Sequence, residues 1–452
     1  MKKYLLLLIL PALVLAVYDF DNFDLRASHW NMRFYNDGRW GLGGFGIEET
    51  IPGSTWNGRN YLFGAGVWVG AIVNSDTIVS VGYNPNNTAT EFYPTLTRFW
   101  RDGHENPEDR VYKSWPDWPP PIERFPMAPQ EPFSRQDLWC CFTDSSPEAA
   151  RYRRPVLGID VCLTVHGFDH GLCPDILFLK YEVLNPNPWP LEKTYIGLAA
   201  DPDVGSGSDD MTGLILDTAF VWQGDTYQVS RTVFACDFDN VEMTRSGEEW
   251  TPGAVCVMLL QGAQRKGLSA ARRFAVGYDP RTDQDQYLTM AGYDYRTGAY
   301  QPFDGPDQME GDKRLLLATG PCRLGPLETA TVWFAVVGSR FGERNEPFPD
   351  RDWAELATRL WFAELTFNGS GIALEPESRT KAQRLTVWPN PAQNWVRIQT
   401  PFSGNEPVRF YDAVGNLVRT MESGSLVPVF DMNPGVYLVR ARTSTAKLIV
   451  TR

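Results

Sequence analysis

The stretch "DPDVGSGSDD" (201–210) sets four carboxylates, Asp201, Asp203, Asp209 and Asp210, within ten residues among glycines and serines. Calcium takes six to eight oxygen ligands, and Asp side chains with backbone carbonyls on a Gly-rich loop can supply them. The loop follows the strand-like run "TYIGLAA", so Asp201 and Asp203 would project together and Asp209 or Asp210 would close the shell. No Glu stands at the twelfth position, so this is not an EF-hand loop. A second acidic turn, "CDFDN" (236–240), offers Asp237 or Asp239. The competing reading is a solvated polar loop. The expectation is a calcium site of structural rather than catalytic character on Asp201, Asp203, Asp209 and Asp210.

"CLTVHGFDHGLC" (162–173) places His166 and His170 between Cys162 and Cys173. Four such ligands can hold zinc tetrahedrally, but on a strand this spacing does not bring all four together. Glycines at 167 and 171 predict a turn, and a hairpin there would bring Cys162 near Cys173 as a cross-hairpin disulfide. Two unlinked thiols are the third alternative. "GLGGFG" (41–46) matches Gly-x-Gly-x-x-Gly, yet a dinucleotide site needs a helix to open there. Pro52-Gly53 stops any such helix, so these glycines read as turns.

Sixteen tryptophans, including Trp100, Trp115 and Trp118, offer flat faces for sugar rings, although sandwich cores bury such residues routinely. There is no Gly-x-Ser-x-Gly elbow and no His-Glu-x-x-His, and the chain has four histidines in all. Paired carboxylates for glycoside cleavage leave no sequence signature, because their separation is spatial. No catalytic residue is assigned.

The elements that must position these residues read as strands. "YLFGAGVWVGAIV" (61–73), "DILFLKYEVLN" (175–185), "KRLLLATG" (313–320) and "TATVWFAVVG" (329–338) are apolar, β-branched and bounded by Gly, Asn or Pro. "NDG" (36–38) and "NPNPWP" (185–190) are turn chemistry. One helix is expected in "DRDWAELATRLWFAELTF", with Trp353, Leu356, Leu360, Trp361 and Leu365 on one face and Asp350 as its cap. Prolines among Trp and Phe from 115 to 132 predict an extended, ordered loop. The fold class expected is all-β: a large β-sandwich body with one C-terminal helix, then a small Ig-like antiparallel β-sandwich module.

Met1-Lys2-Lys3 and an uncharged run to Val17 match a secretory signal peptide cleaved after Ala16. That run is shorter than a membrane span, and no other stretch is apolar enough, so no integral membrane segment follows signal removal. The formal charge of −13 excludes a nucleic-acid backbone as partner. Seven cysteines are too few for a disulfide-built scaffold of this size. The expected organisation is a signal peptide at 1–16, a body at 17–367, a Gly/Ser/Glu/Lys linker at 368–384 and a module at 385–452.

That module carries the most specific pattern in the chain. Trp388-Pro389-Asn390-Pro391 is followed by "VRFYDAVGNLVRT", "NPGVYLVRAR" and a terminal "KLIVTR". These elements resemble the type A C-terminal sorting domain of the type IX secretion system. Pro389, Asn390 and Pro391 match its first motif, Asp412, Gly415 and Val418 its second. Gly435 and Tyr437 match its third, and Lys447 its last strand. The resemblance implies Sec export, recognition by the type IX machinery, and release or attachment to surface polysaccharide. In the body, "SRQDLWCCFTD", "PVLGIDVCLTVHGF", "DILFLKYEVLNPN" and "YIGLAADPDVG" resemble uncharacterised extracellular β-sandwich proteins that carry this same domain. Together these readings point to an exported, non-catalytic structural, adhesive or binding protein. A carbohydrate-binding or carbohydrate-degrading protein is the alternative.

Overall fold

A computed structural model describes residues 20–27, 29–41, 53–101, 106–145, 155–169, 173–222, 225–244, 246–369, 385–388, 390, 392–399, 407–412, 417–422, 426–441 and 444–451. The signal-peptide reading with Ala16, and most of the linker and of "GLGGFG", lie outside these residues.

Alternation builds the body. In the strand Trp30–Tyr35, Trp30, Met32 and Phe34 are buried while Asn31, Arg33 and Tyr35 are less so, the period of a strand with one face on a core. The strand Leu62–Val73 is instead buried along nearly its whole length, because both of its faces are covered. Ten strands form one antiparallel sheet. Its longest members are Leu62–Val73, Leu191–Pro202 and Lys313–Leu324. Eight form a second sheet, including Asp210–Trp222, Asp225–Asp237, Ala254–Gln261, Thr329–Ser339 and Ile176–Leu184. The inner faces meet in a continuous core containing Met32, Phe34, Val67, Leu179, Leu198, Leu317 and Phe334. The all-β sandwich expected from the strand pattern is the fold observed.

Both outer faces carry cover that the sequence only partly disclosed. Three α-helices stand among the described residues rather than one: Thr97–Arg101, Asp283–Met290 and Ala354–Gly369. Asp283–Met290 opens with a capping box between Thr282 and Asp285. It packs Tyr287 and Met290 on the first sheet beside Trp68, Tyr195 and Leu316. A Cβ on Gly70 would lie 2.5 Å from the Met290 methyl, so the glycine admits the helix. Ala354–Gly369 lies on the second sheet, with Leu356, Leu360, Ala363 and Phe367 against Phe178, Met258 and Val337.

This second helix differs in detail from its expected form. Its first amide, Ala354, donates to Asp352 Oδ1 at 2.9 Å, so Asp352 rather than Asp350 caps it. Leu365 faces outward, while Trp353, partly covered, sets its ring 4.6 Å from Phe341 and 5.4 Å from Phe234. The core face takes Ala363 and Phe367 instead, because the true stripe drifts with the 3.6-residue turn. The Pro/Trp segment is the ordered loop expected. Phe125 and Ala128 pack over Tyr112, Trp139, Cys141 and Cys162 on the second sheet, and Arg124 forks onto Asp109 at 3.0 and 2.6 Å.

The C-terminal module has its own sheets and its own core. Thr386–Trp388, Trp395–Gln399 and Leu426–Pro428 form one sheet. Pro407–Tyr411, Leu417–Glu422, Gly435–Ala441 and Ser444–Val450 form the other. Val396, Ile398, Phe410, Val439 and Leu448 fill the space between them.

Candidate functional site

The loop 203–209 is where the chain leaves the first sheet, at the end of Leu191–Pro202, and enters the second, at the start of Asp210–Trp222. A sheet-to-sheet crossing needs Gly-rich backbone, and it brings acids from both sheets to one end of the sandwich. The four expected calcium ligands do not form one shell. They divide.

Asp201 and Asp203 join Asp312, with one oxygen of each within 4.8 Å of the others. Asp201 accepts from the Tyr83 hydroxyl at 2.7 Å and meets Arg314 Nε at 3.2 Å. Arg314 also reaches Asp312 and Asp279, at 3.7 and 3.9 Å. This cluster therefore holds an internal cation. Burial outweighs that arginine: it pushes Asp201 up to about 6, and Asp203, with Asp201 as its next neighbour, up to about 7.

Asp209 and Asp210 belong to a second group. Asp209 ends the short 3₁₀ turn Gly207–Asp209 and meets Asp237 and Glu242, again with oxygens within 4.8 Å of one another. Asp237 stands directly opposite Asp210 in the strand register. Asp237 Oδ1 accepts from Val241 N at 3.0 Å and Asp210 Oδ2 from Val204 N at 3.1 Å. Glu242 accepts from the amides of Ser206 and Met243. Among the described residues no Lys or Arg pairs with any of these four carboxylates. Lys313 Nζ and Arg351 Nη2 approach but donate to the main-chain oxygens of Asp210 and Asp237. Burial, then Asp209 and Asp239, push Asp237 up to about 7. Asp237 was legible in "CDFDN"; Glu242 had no local signal, since only the fold brings it to Ser206.

Stability in the absence of metal should depend on pH in an unusual sense. Asp160, buried against Thr97 and Thr143 with Asp144 nearby, is pushed up to about 6 by desolvation. With Asp201 and Asp203 it binds its proton more tightly folded than unfolded. Its stabilising contribution is complete below the ordinary value of 3.8 and is lost as pH rises through about 6 to 7. Asp137, Asp294 and Asp307 are shifted down, Asp294 to about 2 by Arg296, so their contribution is lost as pH falls through that lowered range. Thermal unfolding in chelator should show Tm falling from about pH 4 to about pH 7 and flattening above. A Tm that rises across that window contradicts this reading.

Among the described residues the Cys/His stretch assembles no zinc site, and its cysteines form no disulfide. Gly167 pairs with Leu177, so the bend lies beyond 167, while Cys162 pairs with Glu182 on one side and Cys141 on the other. Cys162 is thus five residues, roughly 17 Å of strand, from the bend that holds Cys173, against the ~7 Å a disulfide allows. All seven cysteines are free and buried, and Cys173 instead meets the Thr366 hydroxyl at 2.9 Å. His166 Nδ1 bonds Asp137 at 2.8 Å with its ring stacked on Trp333; His170 lies outside the described residues. Gly41 is the last residue of the strand Arg39–Gly41 and pairs with Gly64, so it is a strand residue and not the turn expected of it.

A groove of about 460 Å³ opens beside the first cluster, lined by Arg272, Arg273, Tyr278, Tyr295, Asp307 and Asp312 among others. Three of its four acids are paired, Asp312 with Arg314 at 3.7 Å. Asp307 pairs with Lys313 at 2.6 Å and Arg273 at 3.6 Å, and Asp294 with Arg296 at 3.1 Å. Trp30, Trp40, Trp68 and Trp139 are core residues, Trp118 is half-buried, and Trp115 is 85% exposed.

In the C-terminal module Asn390 and Ala392 are stitched to the last strand and its end. Asn390 Oδ1 accepts from Ile449 N at 2.8 Å, Ala392 N donates to Ile449 O, and Thr451 N to Ala392 O, both at 2.8 Å. Tyr437 is buried and its hydroxyl donates to Asn433 O at 2.7 Å. Residues 386–451 match the family model described as "Secretion system C-terminal sorting domain". The module is a type IX sorting domain.

The sorting domain directs this chain through the type IX machinery to the cell surface or the medium. Within it, Val418 is exposed and Asp412 follows the strand Pro407–Tyr411. Gly435 makes no close approach that a side chain would prevent. Pro389, Pro391, Gly415 and the Lys447 side chain lie outside the described residues. No helix among the described residues is long and apolar enough to cross a membrane.

No curated protein matches the chain. Among solved structures it is similar to an Aspergillus nidulans amine oxidase, at 8% identity and TM-score 0.31, covering 71% of this chain and 50% of that one. A putative aldose 1-epimerase from Escherichia coli K12 matches at 10% identity and TM-score 0.29, covering 70% and 98%. A polysaccharide lyase matches at 10% identity and TM-score 0.23, covering 96% and 46%. The chain thus spans about half the length of the amine oxidase and of the lyase.

Proposed function

We propose that the body is a non-catalytic structural, adhesive or binding component that the sorting domain delivers to the cell exterior. The observation that carries this reading is the electrostatics of the groove. A glycosidase needs a general acid held protonated near neutral pH, whereas the acids Asp294 and Asp307 are locked to Arg and Lys and shifted down. Asp203 and Asp237, the acids raised to about 7, lie at the crossover loop and the acidic turn beside it. The sorting domain leaves two fates open to its carrier, release or attachment to surface polysaccharide.

One feature favours the second reading, a carbohydrate-binding or carbohydrate-degrading protein. Asp312 lines the groove and also meets Asp203, whose carboxyl is raised to about 7, while Tyr278 offers an exposed ring. A glycan array and a polysaccharide hydrolysis screen on the full chain separate the two. The expected result is no turnover. Cleavage abolished by Asp203→Asn, with folding retained, would establish the second reading.

A further inference from the structure

We propose that Asp209, Asp237 and Glu242, with Asp210 behind them, form a calcium site that fastens the crossover loop to the acidic turn at 237–242. The site is not the loop expected from sequence. It takes only the second half of "DPDVGSGSDD", and its other ligands come from a different strand and from the residue that ties down Ser206.

Three observations carry it. The first is geometry: one oxygen each of Asp209, Asp237 and Glu242 lies within 4.8 Å of the others. That is the span of a shell whose metal–oxygen distances are about 2.3–2.6 Å. The second is independent of the clustering. Asp237 and Asp210 are fully buried, and Asp237 Oδ2, Asp210 Oδ1 and Asp209 Oδ1 are buried without any hydrogen-bond partner. An orphaned carboxylate oxygen in such a place is costly unless something positive meets it. The third is the contrast with the neighbouring cluster. Asp201, Asp203 and Asp312 have Arg314 among them, whereas Lys313 and Arg351 turn to carbonyls and make no direct ion pair with the second set's carboxylates.

The donor chemistry selects the ion. All the side-chain donors are carboxylate oxygens, which suit a hard cation, and no Cys or His stands among them to favour zinc. Magnesium demands near-octahedral geometry and retains its waters, while three carboxylates from a 3₁₀ segment and the two ends of one turn suit the more permissive calcium. Affinity is expected in the range of extracellular calcium modules, about 10⁻⁴ to 10⁻³ M. The site would fill once the chain reaches an exterior rich in calcium.

The test is thermal unfolding of the full chain in EGTA and in calcium or magnesium, with terbium luminescence sensitised by nearby aromatics as a second readout. Tyr61, stacked edge-on to Trp250 at 6.1 Å, feels the Asp237 charge and is the expected donor. Calcium at about a hundredfold above Kd should raise Tm by about 4 °C, and magnesium by much less. Asp237→Asn and Asp209→Asn should abolish both the shift and the terbium signal, while Asp203→Asn keeps them. The Asn variants are isosteric, and their Tm in EGTA reports whether they fold. No calcium shift and no terbium signal in the unaltered chain would overturn the proposal. So would a response that survives both site variants, or one lost only in Asp203→Asn. Because glycan binding and hydrolysis are separate readouts, either result leaves the proposed function to its own test.

Discussion

A chain lacking residues 385–452 should accumulate folded in the periplasm, with essentially none at the cell surface or in the medium. The body should survive the deletion, because the sorting domain's core of Val396, Ile398, Phe410, Val439 and Leu448 is separate from the core between the body's sheets. Both halves of this expectation are measurable. Fractionation reports location, and circular dichroism with protease resistance of the periplasmic product reports folding. A truncated chain that still reached the medium would show that another part of the protein carries the address. One that was degraded would show that the body leans on the module for stability.

Asp175→Ala should cost about 3–5 kcal/mol of stability, the range for removing one partner of a buried charged network. Asp175 is 1% exposed at the carboxylate. Its Oδ1 accepts from Trp56 Nε1 at 2.9 Å and meets His29 at 2.5 Å; Oδ2 pairs with Arg359 at 2.6 Å. Its main-chain oxygen takes the Trp30 indole at 2.9 Å. One residue thus joins the first sheet, through Trp56 and Trp30, to the helix Ala354–Gly369, through Arg359. Alanine strands the indole N–H and the guanidinium together. Asp175→Asn can keep a neutral hydrogen bond to Trp56 and should cost distinctly less. Urea unfolding decides this, and a loss below about 1 kcal/mol for the alanine variant would show that water or neighbouring acids take over.

The strands were legible because their signal is local. "YLFGAGVWVGAIV" and "TATVWFAVVG" became Leu62–Val73 and Thr329–Ser339 with little change, since length, β-branching and flanking Gly suffice. The helix Asp283–Met290 was missed because it is short and polar, its stability coming from Tyr287 and Met290 on a sheet that the local pattern does not reveal. Its Thr282-x-x-Asp285 capping box was the available clue. The acidic loop shows the limit most clearly. Proximity in sequence suggested that Asp201, Asp203, Asp209 and Asp210 act together, but a chain crossing between sheets turns neighbours away from each other. Arg314, Asp312 and Glu242 entered from more than thirty positions away. The Cys162–Cys173 pairing failed for the complementary reason. Strand register, which sequence does not specify, put Glu182 opposite Cys162 and left Cys173 in the bend. The sorting motif was readable because it is a recurrent pattern, and the stitching of Asn390 to Ile449 supplies a physical reason for one of its residues.

Among the described residues the helix Ala354–Gly369 is also the last element of the body before the sorting domain, and this has a mechanical meaning. A pull that reaches Gly369 enters the body at the end of a rod about 24 Å long, and not at the end of a strand. To loosen the body, that load must drag Leu356, Leu360, Ala363 and Phe367 across the sheet and break Arg359 from Asp175. Sliding a packed rod breaks many contacts at once, whereas peeling a strand breaks them one by one. The tether is therefore sheared and not unzipped, a strong attachment for a protein held or hauled by its tail.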